Sequence, residues 1–204
     1  MIVPDSSTFG GLIEQRVAVG LAKIGLALKS QSWQEAGQQG LTPTQGQILA
    51  VLQAHAPIGL RLSEIAAGLA VTAATASEAV SVLAEKGLVE KAKSRQDKRA
   101  IAITLTDRGQ QQAVQVSCWS DFLLGAVAEL AADEQVVFLK GLIKIIRKLQ
   151  DEHRIPIAHM CVNCRFFASD RYPNAEKPHH CEFVDAAFGD RQLQIDCHDH
   201  VIQE

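Results

Sequence analysis

The sequence predicts a mainly α-helical protein with a small β-hairpin wing, followed by a small cysteine-rich module. Apolar residues recur at helical spacing through most of the first 155 residues, with one short alternating region between them. Four of the five cysteines and five of the seven histidines lie beyond residue 158. The composition shifts at Ile155-Pro156, so we expect one domain over 1–155 and a separate module over 156–204.

Composition and charge narrow the class of protein. The chain has 204 residues, is 47% hydrophobic and carries a net charge of −3, which suits a folded core. Residues 1–155 hold 16 basic and 15 acidic residues, whereas 156–204 hold 4 and 8. The start of the chain lacks the charged region of a secretory signal, and Lys23 interrupts the apolar stretch 17–28. We therefore expect a cytoplasmic protein without a membrane partner, whose cysteines are free or metal-bound rather than paired in disulfides.

The first domain begins with a run of helices. The earliest spans about 10–38. Thr42-Pro43-Thr44-Gln45 predicts the start of the next, because Thr42 can cap it, Pro43 suits its first position and Gln45 completes a capping box. Pro57 and Gly59 end this helix. A short helix follows over 63–69, and another runs from Thr72 to about Lys86, where Gly87 stops it.

A hairpin and further helices complete the domain. Residues 88–91 and 100–105 alternate as strands do, and the polar loop 92–99 joins them. Thr106 predicts the cap of a helix that runs into the 120s, and Asp133 the start of a last long helix with an apolar stripe. Residues 86–99 hold six basic residues against two acidic ones, a local excess of positive charge.

A helix, a short helix, a third helix and a hairpin with a basic tip form a winged helix-turn-helix. The third helix fits the major groove of DNA and the wing reaches phosphates or the minor groove. Residues 72–81 of that third helix contain no Arg or Lys, so we expect specificity to come largely from the wing and from DNA shape. The alternative is a solvated hairpin tip, with Ser63 and Thr72 acting only as helix caps. The candidate DNA-binding residues are Ser63, Thr72, Thr75, Ser77, Ser81, Lys93, Arg95, Asp97, Lys98 and Arg99.

Several segments of this domain resemble the MarR family of bacterial regulators. The strongest match is the wing 94–100, followed by Leu105-Thr106-Asp107-Arg108-Gly109, and the helix start 41–45 also fits. The resemblance implies a homodimer that binds palindromic double-stranded DNA operators and uses its N- and C-terminal helices as the dimer interface. It also implies that Arg99 enters the minor groove and that Asp97 orients the wing.

The second part of the chain carries a pattern of metal ligands. Cys161 and Cys164 form a close pair, Cys181 follows after sixteen residues and Cys197 after fifteen more. Four thiolates suit tetrahedral Zn²⁺, but structural zinc sites commonly use two close pairs, whereas iron–sulfur clusters accept dispersed cysteines. The neighbouring histidines either replace a thiolate, which would favour zinc, or are solvated; we favour solvation for most of them: His179, His180, His198 and His200. Cys118, within a helical pattern, is expected to be a small buried residue.

This spacing is similar to that of high-potential iron–sulfur proteins. The segments Cys164-Arg165-Phe166-Phe167 and Cys181-Glu182-Phe183 also resemble that family. The resemblance implies a 4Fe–4S cluster on the four cysteines, shielded by aromatic side chains. The candidates for this shield are Phe166, Phe167, Tyr172, Phe183 and Phe188.

Together these features predict a DNA-binding transcriptional regulator whose operator affinity follows the state of an iron–sulfur cluster, and hence a redox signal. The resemblance to the MarR family implies that this regulator is a repressor. An alternative keeps DNA binding but makes the centre structural Zn²⁺, with a small aromatic molecule as the effector. A third hypothesis is an electron-transfer module. We expect no enzyme, because the sequence shows no nucleophile triad, phosphate loop or recognisable pair of catalytic carboxylates.

Overall fold

The computed structural model describes residues 12–93, 101–173 and 176–203. The wing residues Arg95, Asp97, Lys98 and Arg99 lie outside the described residues. Contacts divide the chain into two compact units, Met1–Leu62 with Ala74–Leu123 and Ser63–Ala73 with Leu124–Glu204. The long helix that precedes the cysteines thus groups with the cysteine-rich part, whereas the boundary at 155/156 stays a prediction.

The first unit contains most of the predicted helices and the hairpin. Thr42 and Gln45 form the expected capping box: the Gln45 backbone N–H donates to Thr42 Oγ1 (3.3 Å), and the Thr42 N–H donates to Gln45 Oε1 (3.1 Å). The Gly109 N–H donates to Thr106 Oγ1 (3.0 Å), which confirms the second predicted cap. The elements are α1 (Ile13–Gln38), α2 (Pro43–Ala54), α4 (Ala73–Glu85), β1 (Val89–Lys93), β2 (Ile101–Leu105) and α5 (Asp107–Ser117).

The hairpin is longer on its first strand than the sequence indicates. β1 pairs antiparallel with β2 from Val89 opposite Leu105 to Lys93 opposite Ile101. The prediction that the loop begins at Ala92 is therefore wrong, because ladder hydrogen bonds continue through this polar segment. Leu60 adds an isolated bridge to Ile103, with N···O distances of 3.1 and 2.8 Å.

The helix predicted to run from Thr106 into the 120s is interrupted. It ends at Ser117, a 3₁₀ turn covers Cys118–Ser120, and α6 spans Asp121–Ala128. Gly109, Ala113 and Val116 are buried along one side of α5. Cys118 follows on the opposite side of the helix and is exposed, so the expectation that it is buried is wrong.

Gly46 in α2 allows the close approach of the Trp119 indole. A Cβ atom at Gly46 would lie 2.2 Å from a carbon of that ring, far inside van der Waals contact. The indole is itself buried, so it has little room to move away. The identity of residue 46 thus determines how closely α2 packs against the 3₁₀ turn.

Gly46→Ala is expected to destabilise the first unit by about 1–3 kcal/mol, because overpacking a filled core costs that much. Gly37→Ala is the matched control: it lies in α1 with open space at its Cβ and should stabilise by about 0.5–1 kcal/mol. Urea denaturation of the two variants measures the difference. Equal stability of the two variants would contradict the packing argument.

The second unit contains α3, α7 and the cysteine-rich segment. The α7 helix begins one residue before the predicted Asp133, where Glu134 Oε2 accepts from the Ala131 backbone N–H (2.8 Å). Three short antiparallel strands follow in the order β3-β4-β5. The elements are α3 (Leu62–Gly68), α7 (Ala132–Asp151), a 3₁₀ turn (Cys161–Asn163), β3 (Phe167–Ala168), β4 (His179–Cys181), β5 (Ala186–Phe188) and a 3₁₀ turn (Asp190–Gln192).

Residues 194–203 fold back onto the segment that carries the first two cysteines. The Arg165 N–H donates to the Val201 carbonyl (2.9 Å), and the Gln203 N–H donates to the Asn163 carbonyl (3.1 Å). Cys164 and Ile202 form an isolated antiparallel bridge. These bonds tie together parts of the chain that lie more than 35 residues apart in sequence.

No single helix in the described ranges is long and apolar enough to cross a membrane, although α3 and α4 taken as a bent pair pass the same test of length and composition.

Candidate nucleic-acid interface and cysteine centre

The α4 helix has one buried face and one exposed polar face. Its buried residues follow the spacing of one helix face: Ala76, Ala79, Val80 and Leu83. Three of the predicted DNA-binding residues lie on the exposed side: Thr75, Ser77 and Ser81. The helix therefore offers these hydroxyl groups to solvent, as a helix that reads a DNA groove requires.

Glu78 also lies on this exposed face, and the sequence reasoning missed it. It sits one turn from Thr75 and Ser81, near the middle of the helix. A carboxylate in the major groove accepts hydrogen bonds and favours cytosine, whose N4 amino group donates. The Ser81 hydroxyl donates to the Ser77 carbonyl (2.9 Å), which leaves its lone pairs to accept as well. The exposed face is thus richer in acceptors than in donors.

Three further predicted contact residues that the structure describes, Ser63, Thr72 and Lys93, are also exposed. Lys93 is the last residue of β1 and directly precedes residues 94–100, which lie outside the described ranges. Ser63 is the second residue of α3 rather than its cap, and Thr72 immediately precedes α4. Lys86 is used inside the first unit, where its ammonium group contacts the Gly40 carbonyl and its own carbonyl accepts from Arg108 Nη1 (3.1 Å).

The four predicted ligand cysteines converge within the second unit. Cys161 starts a 3₁₀ turn and Cys164 follows that turn, with the Cys164 N–H donating to the Cys161 carbonyl (3.0 Å). Cys181 ends β4 and pairs with Phe167 of β3, and all four side chains are half-buried. The turn and the strand bring together thiols that are separated by up to 36 positions in sequence.

The pKa of the Cys161 thiol is affected by the other three cysteines. Burial raises the pKa of the Cys161 thiol, a hydrogen bond from the Gln194 backbone opposes that shift, and negative charge on Cys197, Cys181 and Cys164 raises the pKa further. Each of the other three thiols is therefore close enough to act on Cys161. Within the part of the chain that the structure describes, however, no three Cys, His, Asp or Glu side chains are placed to hold a single metal ion.

The Cys161 sulfur accepts a backbone hydrogen bond. The Gln194 N–H donates to Cys161 Sγ (3.3 Å), and the Cys161 N–H donates to the Gln194 carbonyl (3.1 Å). The Cys197 N–H donates to the His159 carbonyl (2.8 Å). The segment that carries the last cysteine is thus fixed to the segment that carries the first.

Two of the nearby histidines are buried, contrary to the expectation that most are solvated. His179 Nε2 contacts Asp190 Oδ1 (2.9 Å), and His180 Nε2 contacts Asp185 Oδ1 (3.1 Å). Both belong to the central strand β4; the rings of Phe167 and Phe188 pack against His179, and the Tyr172 ring packs against His180. Carboxylate partners, which the sequence does not reveal, make this burial tolerable.

His159 and His200 form a second pair of histidines, whose rings are stacked near Cys197. The His159 and His200 rings lie 5.0 Å apart and are nearly parallel. His200 Nε2 contacts Asn163 Oδ1 (2.8 Å). The pKa of His200 is lowered mainly by burial and, to a smaller extent, by the positive charge of His159. His198 is exposed.

The predicted aromatic shield divides into two groups. Phe167 lies 5.9 Å from Phe188 and 5.2 Å from the His179 ring. Phe166 lies 5.4 Å from Phe183, which is largely exposed. The role of these aromatic residues as a shield stays a prediction.

Comparison with known proteins bears mainly on the helical part. Residues 39–100 match the sequence model of the MarR family. The crystal structure of MepR from Staphylococcus aureus in complex with DNA aligns with 65% of this chain and 97% of its own, at 27% identity and a TM-score of 0.56. CouR from Rhodococcus jostii bound to p-coumaroyl-CoA aligns with 67% of this chain and 95% of its own, at 20% identity and a TM-score of 0.56.

YusO from Bacillus subtilis also has a similar fold, with a TM-score of 0.51 and 22% identity over 70% of this chain and 99% of its own. No curated protein sequence matches the chain significantly. The alignment to MepR covers nearly all of that protein, so the similarity extends over a whole regulator and leaves about a third of this chain unmatched.

Proposed function

We propose that this chain is a MarR-type transcription regulator, because residues 39–100 match the MarR family model and the helices α2, α3 and α4 are followed by the β1–β2 hairpin. It binds double-stranded DNA through α4 and the wing and acts as a repressor. The single observation that supports this most is the similarity to the MepR–DNA complex over 97% of the MepR chain. The exposed hydroxyl-bearing face of α4 supports the same assignment. No catalytic role is proposed.

The proposed regulator is a homodimer on a palindromic operator. α1 exposes large apolar side chains along its length in the single chain, among them Ile13, Leu26 and Trp33, which are 64%, 68% and 58% exposed. Apolar surface on this scale marks an interaction surface. A two-fold dimer would place its two α4 helices about one DNA turn apart, as a palindromic operator requires.

We further propose that Cys161, Cys164, Cys181 and Cys197 hold a 4Fe–4S cluster. Negative charge on the other three thiols raises the pKa of Cys161, which supports a common centre. The four cysteines contain only one close pair, and this dispersed spacing favours a cluster over a structural zinc site, which commonly uses two close pairs. Such a cluster would supply one-electron redox chemistry, and the 3₁₀ turn and β4 position the cysteines that would hold it.

Absorption spectroscopy with iron, sulfide and zinc analysis on protein purified without oxygen tests the centre. A broad band near 400 nm with matching iron and sulfide supports the cluster, and a colourless protein with one zinc per chain supports the alternative. A mobility shift with the DNA upstream of the protein's own gene tests the regulator independently. If no shift occurs with or without the centre, the proposal of DNA binding fails.

A small-molecule effector is the second candidate, and one cavity favours it. The cavity has a volume of about 240 Å³ in the first unit. Leu52 and Pro57 line its apolar side, and Glu90, Lys93 and Thr104 line its polar side. Occupation of this cavity by a small aromatic acid would act on β1 and hence on the wing. In that case the centre would be structural Zn²⁺, and the effector would weaken the mobility shift without changing the metal content.

Arg99→Ala is expected to weaken operator binding by about 1–3 kcal/mol, because loss of one groove contact costs that much. Arg191→Ala, in the 3₁₀ turn of the second unit, is the control and should bind like the wild type. Fluorescence anisotropy with a labelled operator at fixed salt measures both. An unchanged affinity for Arg99→Ala would contradict the assignment of the wing.

A further inference from the structure

A continuous chain of polar contacts runs from the cysteine-bearing strand β4 to α7. The Asp170 backbone N–H donates to His179 Nδ1 (3.2 Å), so the proton of this imidazole lies on Nε2. His179 Nε2 then donates to Asp190 Oδ1 (2.9 Å). Lys140 Nζ in α7 donates to the other carboxylate oxygen, Asp190 Oδ2 (2.8 Å).

His179 and Asp190, the two central residues of this series of contacts, are held in place. His179 is 6% exposed, and the rings of Phe167 and Phe188 lie 5.2 and 5.6 Å from its own. The hydrogen bond from Lys140, followed by that from His179, holds the pKa of Asp190 below its ordinary value, so Asp190 is ionised while it bridges them. Charge-assisted hydrogen bonds of this kind have well-defined geometry.

This series of polar contacts reaches Cys181 through β4. His179 lies two residues before Cys181 in this three-residue strand, which pairs with β3 on one side and β5 on the other. A strand paired on both sides moves as a unit. The position of the Cys181 sulfur is therefore linked to the position of Lys140.

The same face of α7 also contacts the segment that carries Cys161 and Cys164. Lys140, Ile143, Arg147 and Gln150 follow the spacing of one helix face, and Ile143 and Gln150 are buried. Arg147 Nη1 approaches the Val162 carbonyl, between Cys161 and Cys164, at 3.5 Å. Gln150 Nε2 donates to the Pro156 carbonyl (3.1 Å). One helix face thus contacts both parts of the cysteine module.

We propose that Lys140, Asp190 and His179 are positioning residues that hold Cys181 against α7, so that loading of the four-cysteine centre and the packing of α7 change together. This inference rests on the proposed centre, whether the centre is a cluster or zinc. It differs from the proposed function in naming the path by which the centre acts on the helices.

The test compares Lys140→Met and Asp190→Asn with Lys144→Met, a matched loss of a lysine from an exposed position of the same helix. Chelator-driven loss of the metal is followed by absorbance for iron, or by a chromogenic chelator for zinc. Partners behind metal ligands typically contribute about 10–100-fold to metal retention. We expect loss on the order of tenfold faster in the first two variants, wild-type rates in Lys144→Met, and recovery in Lys140→Arg.

Hydrogen exchange of the α7 amides gives the second readout. In the wild type, removal of the centre should speed exchange in α7; in Asp190→Asn, exchange should already be fast with the centre present. Equal metal loss and equal exchange in wild type and Asp190→Asn would overturn the inference while leaving the centre intact. A wild-type protein without bound metal would overturn the centre and this inference together, whereas DNA binding would stand or fall separately.

Discussion

Replacing Cys181 with Ser is expected to abolish binding of the proposed centre. Negative charge on Cys181 contributes to the raised pKa of Cys161, as expected for two ligands of the proposed centre, and a hydroxyl is a poor ligand for iron or zinc. Metal and sulfide per chain should fall to background, together with the absorption of the centre. Metal content, sulfide content and absorption are all measured on protein purified without oxygen.

Cys118→Ser provides the matched control. Cys118 is the one cysteine outside the proposed set and is exposed in the first unit. Its replacement should leave the metal content and spectrum unchanged. The cooperative urea transition of the first unit should survive in both variants, which separates loss of a ligand from general misfolding. Full metal content in Cys181→Ser would remove this cysteine from the centre.

Glu78→Gln is expected to change which base the operator prefers under α4. A carboxylate accepts from the cytosine N4 amino group, whereas the amide of Gln pairs with the N6 and N7 positions of adenine. Each such pairing discriminates by about 1–3 kcal/mol, or roughly 5–150-fold in affinity. The variant should therefore lose the preference for cytosine and gain one for adenine at the same position in each half-site.

Selection of binding sites from a randomised operator measures this change. Glu85→Gln is the control, since it makes the same chemical change at the last residue of the same helix. It should keep the wild-type base preference. A gain in affinity for every operator without a change in preferred base would mean that Glu78 acts only by repelling DNA phosphates.

Local sequence signals were enough to predict the frame of the helical part. The capping box of Thr42 and Gln45 and the cap at Thr106 involve atoms only three residues apart, so short motifs determine them. The change from helical spacing to alternation likewise indicated the hairpin, although its first strand extends to Lys93. Pairing with the opposite strand decided that end, and pairing depends on residues elsewhere in the chain.

The environment of the candidate centre depended on long-range contacts that the sequence does not show. His179 and Asp190 are eleven positions apart, and Asp190 and Lys140 are fifty apart. No short pattern connects these residues, so His179 was expected at the surface and the contact between Lys140 and Asp190 was not predicted. Cys118 was misjudged because it lies on the opposite side of the helix from the buried Gly109, Ala113 and Val116. The spacing of the four ligand cysteines predicted a shared site, but the distances within it depend on how β4 and the 3₁₀ turn pack.

The return of residues 194–203 to the cysteine-bearing segment has a consequence for the lifetime of the protein. These residues are held by Cys161, Asn163, Cys164 and Arg165, which surround the proposed centre. Without the centre, this short segment has little buried apolar surface to hold it and becomes accessible to proteases. Cells that cannot supply the centre would then clear the protein faster, so its abundance would report the same condition as its affinity for DNA.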